Sequence, residues 1–144
     1  MKIKFRLVVV SFFSLLCLSV GLAQTYDHQP LLSVKEIMNG MITPPTTTIW
    51  GAYQLETDAQ WQEVRNAALS VLAAGNLLQI GGVGEGEVVM ASEADWKTYN
   101  LQMIEAARLV ISAADNKNEE ALFAAGNDAL YPPCESCHQQ YQQQ

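Results

Sequence analysis

Apolar side chains recur at helical spacing in four stretches of the chain, and turn-forming residues separate these stretches. The first runs from about Ser33 to Ile42, and its apolar side consists of Val34, Ile37, Met38 and Met41. The proline pair Pro44-Pro45 is predicted to break or kink this helix, although a continuation through Ile49, Trp50 and Tyr53 keeps the same pattern. The first regular element is therefore predicted to be a helix that is interrupted or bent near residue 44.

The second and third helices are marked by capping residues. Thr57-Asp58-Ala59-Gln60 reads as a capping box, and the apolar face that follows to about Gln79 is made of Trp61, Val64, Ala68, Val71, Leu72 and Leu78. Residues 80–90 are glycine-rich and predict a flexible connection, not a phosphate loop, because no strand precedes them and no lysine follows. Ser92 is predicted to cap the third helix, whose apolar face is Trp96, Tyr99, Met103, Ala106, Ala107 and Val110.

The fourth helix follows a predicted turn at residues 116–118. It begins with Glu119 and Glu120, which the helix dipole favours at an N-terminus. One of its faces carries Phe123, Leu130, Cys134, Cys137, His138 and Tyr141. Four amphipathic helices with mostly short connections predict an all-α fold, an up-down-up-down antiparallel four-helix bundle that forms one domain over residues 24–144.

Residues 1–23 have the layout of a secretory signal peptide. Basic residues precede an apolar run over residues 7–20, and small residues follow at the expected cleavage site. The run is shorter than the roughly 20 residues of a membrane-spanning helix, which argues against an uncleaved anchor. A lipoprotein site at Cys17 is disfavoured, because Leu16 stands where that processing requires a small residue. The sequence therefore predicts a periplasmic protein that begins near Gln24 and has no membrane span.

Cleavage would leave a strongly acidic chain. The full sequence has a formal net charge of −7, and loss of three of its eight basic residues leaves five against fifteen acidic ones, a net charge of −10. Such a surface repels nucleic acid and anionic lipid, and at low salt it attracts a basic protein partner. A charge kept for solubility explains the same composition, so both interpretations stay open.

Cys134-Glu135-Ser136-Cys137-His138 is the C-x-x-C-H motif for covalent attachment of haem c. Three other uses of the cysteine pair fit less well. A disulfide closing so short a loop adds little stability, zinc lacks a fourth ligand because His28 is distant, and a thioredoxin-type pair should open a helix after a strand. Cysteines three residues apart share one side of a helix, so both thiols can reach the two vinyl groups at one porphyrin edge. His138 lies on the same side and is the predicted proximal iron ligand.

Met38 is predicted to bind the other side of the iron. In an up-down-up-down bundle the first and fourth helices are antiparallel neighbours, and Met38 and His138 each lie roughly 8 Å from the same end. Met41 is the nearest substitute. The remaining methionines are less suitable, Met90 in a loop and Met103 in a core stripe. A five-coordinate iron and a bis-histidine site with His28 stay open as alternatives.

With these residues, positions 31–142 resemble the class II cytochromes c, the cytochrome c′ family. The resemblance rests on Val34-Lys35-Glu36-Ile37-Met38 followed by Pro44 and Trp50, and on Tyr131, the C-x-x-C-H motif and Tyr141. It implies a four-helix bundle with haem near one end, and the distal methionine of the family's low-spin branch corresponds to Met38. In the high-spin branch that residue does not bind iron, which leaves a site for nitric oxide or carbon monoxide. The chain departs from the family at residues 44–48 and at Lys35, which only loosely replaces a propionate-binding arginine.

Iron with Met and His ligands predicts one-electron transfer, because two strong ligands keep the coordination nearly constant between the ferrous and ferric states. The alternative is a cytochrome c′-like protein that binds nitric oxide or carbon monoxide. A peroxidase-like enzyme fits less well, because Arg65 and Arg108 fall on polar helix faces, and a bundle without haem would leave the exported motif unused. The expected partner is a redox protein with a basic docking surface, and the family resemblance allows a homodimer.

Overall fold

The computed structural model describes residues 29–142, and every regular element in that range is helical, which confirms the predicted all-α class. In chain order the elements, with π marking a π-helix, are α1 (Val34–Ile37), π1 (Met38–Ile42), α2 (Thr43–Trp50), α3 (Asp58–Leu78), α4 (Glu87–Ala91), α5 (Ala94–Asp115), α6 (Glu119–Phe123), π2 (Ala124–Leu130) and α7 (Tyr131–Tyr141). Elements α1, π1 and α2 follow one another without a gap, as do α6, π2 and α7. The predicted signal peptide, Cys17 and His28 lie outside the described residues.

Two helices begin at capping boxes that satisfy backbone N–H groups without a partner inside the helix. At the start of α3, Thr57 Oγ1 accepts the N–H of Gln60 at 3.3 Å, and Gln60 Oε1 accepts the N–H of Thr57 at 2.8 Å. Ser33 and Glu36 make the same reciprocal pair at the start of α1. The predicted start of the second helix at Thr57 is therefore confirmed.

Both proline pairs follow π-helices and do not break the chain's helical path. Pro44-Pro45 lies in the first turn of α2 after π1, and Pro132-Pro133 lies in the first turn of α7 after π2. In a regular α-helix the proline ring clashes with the carbonyl four residues earlier, and the wider π turn relieves that clash. The predicted break at residue 44 is thus a π-helix, and the helical stretch continues to Trp50 but not to Tyr53.

Ser92 does not cap the third long helix, which corrects the sequence-based expectation. Its hydroxyl donates to the carbonyl of Val89 at 2.6 Å and so closes the short helix α4. The N-cap of α5 is Glu93, whose side chain makes no capping hydrogen bond. Residues 87–90 of the glycine-rich connection are therefore helical, and residues 80–86 form its non-helical part.

Helices α3 and α5 pack along each other and form the centre of the core, while α2 packs on α3 and both π2 and α7 pack on α5. Most predicted core residues of α3 and α5 are buried, although Leu72 and Tyr99 are only half-buried. Phe123 is 67% exposed, contrary to prediction, and its neighbour Leu122 is buried instead. The extra residue per turn in π2 shifts the helical phase, so Leu122 before it and Leu130 after it face the same core.

None of the helices within residues 29–142 has both the length and the apolarity needed to cross a membrane.

Candidate haem-attachment site

One cavity of about 850 Å³ brings together the four residues that the sequence nominated, Met38, Cys134, Cys137 and His138. The two cysteines and the histidine come from α7, which packs on α5 and π2. Met38 is the first residue of π1, which packs on α3. The two thiols and the imidazole therefore reach the cavity from one helix. The Met38 side chain reaches it from a different element, 96 residues before Cys134 in the chain.

The methionines divide into those that line this cavity and those that do not. Met38 and Met103 are lining residues. Met41, the predicted substitute for Met38, is half-buried against the core outside the cavity wall, and Met90 packs against the core from α4. The π turn that begins at Met38 separates the directions of Met38 and Met41, which an α-helical reading places on one side.

Cys134 and Cys137 are free thiols in half-buried positions. Burial raises the pKa of Cys134 from 9.0 to about 11, with the neighbouring Cys137 adding to the effect. Burial likewise raises the pKa of Cys137 to about 11. Both thiols therefore hold their protons at neutral pH while no thioether is formed.

Two tryptophans are fixed at the cavity wall by hydrogen bonds and aromatic contacts. Trp96 is buried, its Nε1–H donates to the carbonyl of Leu78 at 2.9 Å, and its ring lies edge-on to Tyr141 with centroids 5.2 Å apart. Trp50 is 41% exposed, and its Nε1–H donates to the carbonyl of Gly126 in π2 at 2.9 Å. Trp50 also contacts Tyr131 edge-on at 6.1 Å. The wall thus combines a rigid buried aromatic side with a more open aromatic rim.

Asn100 is a buried polar residue of the wall that the sequence analysis did not select. Its Nδ2–H donates to the carbonyl of Gly75 at 2.9 Å, and its Oδ1 has no hydrogen-bond partner within the described chain. The signal was present in the sequence, because Asn100 interrupts the apolar series of Trp96 and Met103 at helical spacing. A polar side chain held inside an apolar stripe indicates a cavity wall and not a uniform core.

The polar part of the wall is neutral or acidic. Among residues 29–142, the polar side chains at the wall belong to threonine, tyrosine, asparagine, glutamine, histidine and Glu135, and neither lysine nor arginine is among them. Lys35, the loose counterpart of a propionate-binding arginine, is exposed and lies outside the wall. Thr43, Gln139 and Gln142 are among the uncharged side chains that supply hydrogen-bond donors to this wall.

Within the described residues no three His, Cys, Asp or Glu side chains are grouped so that they alone would hold a metal ion. Comparison of the chain with models of known protein families, with curated proteins and with solved structures gave no match.

Proposed function

We propose that this protein is a periplasmic c-type cytochrome that carries one haem c and transfers single electrons. The observation that carries the proposal is the cavity that holds both cysteines and the histidine of the C-x-x-C-H motif together with Met38. We further infer that the helical stretches form the antiparallel four-helix bundle of the class II cytochromes c, with α4 as a short addition between the second and third helices. The packing of α2 on α3, α3 on α5, and α5 on π2 and α7 is compatible with that arrangement.

The residues at the cavity suit a haem. Its volume of about 850 Å³ lies within the range of cofactor pockets, and its wall is largely apolar with a few polar groups. Haem iron is held mainly by the porphyrin, so the protein supplies only one or two axial ligands and needs no cluster of three. In this proposal Cys134 and Cys137, which line the cavity, would form the thioethers, and the buried Asn100 Oδ1 offers an acceptor to a polar group or water there.

Bound haem would supply reversible one-electron chemistry at its iron. In this proposal His138 and Met38 would hold the haem iron, and two strong ligands would keep its coordination similar in both oxidation states. Ile42, Leu78 and Met103 line the cavity with apolar side chains that would exclude water from a bound haem, and Trp96 donates a hydrogen bond to the Leu78 carbonyl in the same wall. A redox partner with a basic surface would be attracted by the acidic mature chain.

A second candidate function is binding of nitric oxide or carbon monoxide after Met38 leaves the iron. The observation that favours it is the position of Met38 at the first residue of a π-helix. Single π turns inside helices occur frequently at functional sites, and a ligand that leaves the iron would give this one a role. The two functions differ in how tightly Met38 is held, and one set of spectra distinguishes them.

The test is the optical spectrum of the full-length protein after co-expression with haem-maturation proteins. We expect a covalently bound haem, a weak near-infrared sulfur-to-iron band in the oxidised protein, and no response of the reduced protein to carbon monoxide. Met38→Ala should remove the band and open the iron to carbon monoxide. Met41→Ala, outside the cavity wall, is the matched control and should keep the band.

Three results would change the proposal. Loss of the band in Met41→Ala instead of Met38→Ala would transfer the ligand role to Met41. A wild-type protein that lacks the band and binds carbon monoxide at once would favour the gas-binding function. Absence of covalent haem would refute both functions.

A further inference from the structure

We propose that Glu87 is a positioning residue for Met38, because its carboxylate ties the first turn of the helix that carries Met38 to the glycine-rich connection. This inference rests on the proposed function, in which Met38 is an iron ligand. It assigns a role to Glu87 and to residues 81–86, a segment that the sequence analysis treated only as a connection.

The tie is a pair of hydrogen bonds to one carboxylate oxygen. Glu87 Oε2 accepts the N–H of Val34 at 2.9 Å and the N–H of Gly84 at 3.0 Å. Val34 is the first residue of α1, so its N–H has no partner inside the helix. The capping box joins Ser33 and Glu36 and leaves the Val34 N–H to Glu87.

The glycines allow this approach. A Cβ atom at Gly82 would collide with Glu87 Oε2 and would lie 2.6 Å from the backbone nitrogen of Val34. A Cβ at Gly84 would lie 2.5 Å from the Glu87 carboxyl carbon. The Val83 N–H also donates to the carbonyl of Leu32 at 3.0 Å. Residues 82–87 therefore contact residues 32–34 closely through backbone and carboxylate hydrogen bonds. A side chain at Gly82 or Gly84 would prevent this close approach.

The distance along the chain from the tie to the ligand is one helical turn. Val34 precedes Met38 by four residues, and α1 contains only residues 34–37 before π1 begins. Because α1 continues without a gap into π1 and α2, a contact at its first residue anchors the end of the helical stretch that carries Met38. Because the Glu87 carboxylate holds the first N–H of α1, it fixes the point from which Met38 extends toward the cavity. Loss of this contact would let α1 shift and would weaken the bond between the Met38 sulfur and the iron.

The experiment compares Glu87→Ala and Glu87→Gln with Glu85→Ala in the haem-loaded, full-length protein. Glu85 is an exposed residue in the same segment with the same charge, so its variant reproduces the charge change without loss of the tie. In Glu87→Ala we expect a weaker sulfur-to-iron band, about tenfold faster binding of carbon monoxide, and faster hydrogen exchange of the Val34 amide. These changes would reflect loss of the charge-assisted hydrogen bond from Val34. Glu87→Gln should show smaller changes in the same direction, and Glu85→Ala should behave as wild type.

Gly82→Ala tests the same contact from its other side and should reproduce the Glu87→Ala phenotype if the close approach is what matters. If Glu87→Ala lowers the melting temperature but leaves the band and the carbon monoxide rate unchanged, Glu87 is only a structural tie and the proposal is wrong. If Glu87→Ala does not fold, the same readouts on Glu87→Gln decide. A wild-type protein without the band would refute Met38 ligation itself, and that result is separate from any result on Glu87.

Discussion

In the haem-free chain, raising the pH from about 8 to about 11 should destabilise the fold through Cys134 and Cys137, whose pKa values burial raises from 9.0 to about 11. Below pH 9 both thiols are protonated in the folded and unfolded states, so their contribution to stability is fully present. Above pH 9 the thiols ionise first in the unfolded chain, where they are solvated. The stabilisation is therefore lost as the pH rises through about 11.

The size of the effect follows from the two pKa values. For Cys134, the difference between 9.0 and about 11 corresponds to about 3 kcal/mol of unfolding free energy. Cys137 is less deeply buried, so solvent screening reduces its share to about 1 kcal/mol. The two thiols together should account for a loss of about 4 kcal/mol, a large fraction of the stability of a small domain.

The assay is urea unfolding at a series of pH values under reducing conditions, followed by far-ultraviolet circular dichroism. Lysines and tyrosines also titrate in this range, so the matched control is the Cys134→Ala/Cys137→Ala double variant, which retains them all. The quantity of interest is the difference in pH dependence between the two chains. Equal losses in both chains between about pH 8 and 11 would show that the thiols are solvated in the folded chain and would refute the reasoning.

Two further predictions concern the helices that hold the cavity. Trp96→Phe should lower the unfolding free energy by about 2–3 kcal/mol, because it removes a buried hydrogen bond to Leu78 and part of a buried ring. Trp50→Phe, at a 41% exposed position, should lower it by about 1 kcal/mol. Equal losses of unfolding free energy in urea would contradict the difference in burial. Thr57→Ala should cost about 1 kcal/mol through loss of the α3 cap, whereas Thr57→Ser keeps the hydroxyl and should unfold at nearly the wild-type urea midpoint. An unchanged midpoint in Thr57→Ala would contradict the capping role.

The features that the sequence predicted correctly depend on short-range chemistry. The capping box at Thr57 involves residues three apart, and the apolar faces of α3 and α5 follow a period of 3.6 residues, interrupted in α5 by Asn100. The C-x-x-C-H motif is also local, since five consecutive residues contain both cysteines and the histidine, and its role in haem attachment stays a prediction. No long-range information is needed for any of these.

The features that the sequence did not predict depend on contacts between distant residues. Glu87 meets the N–H of Val34 across 53 positions, and no spacing rule connects them. Ser92 was a plausible cap by residue type, but the carbonyl of Val89 at the end of α4 takes its hydroxyl. Short polar side chains have several backbone partners within reach, and the surrounding fold decides which one they bind.

The segment that carries Met38 and the segment that leads to the C-x-x-C-H motif each contain a π-helix. A constant helical period therefore does not predict which way their side chains point. Met38 begins π1, which ends just before the Pro44-Pro45 pair, and Cys134 follows π2 and the Pro132-Pro133 pair. Each π turn changes the direction of every later side chain relative to an unbroken α-helix, and each lies directly before a helix whose first turn contains a proline pair. A constant helical period places Met41 on the same face as Met38, and Phe123 on the same face as Cys134. Of these four residues, Met38 and Cys134 line the cavity and the other two do not. The local motif predicts Cys134, Cys137 and His138 as site residues, but the orientation of their side chains also depends on π2 and the proline pair before them.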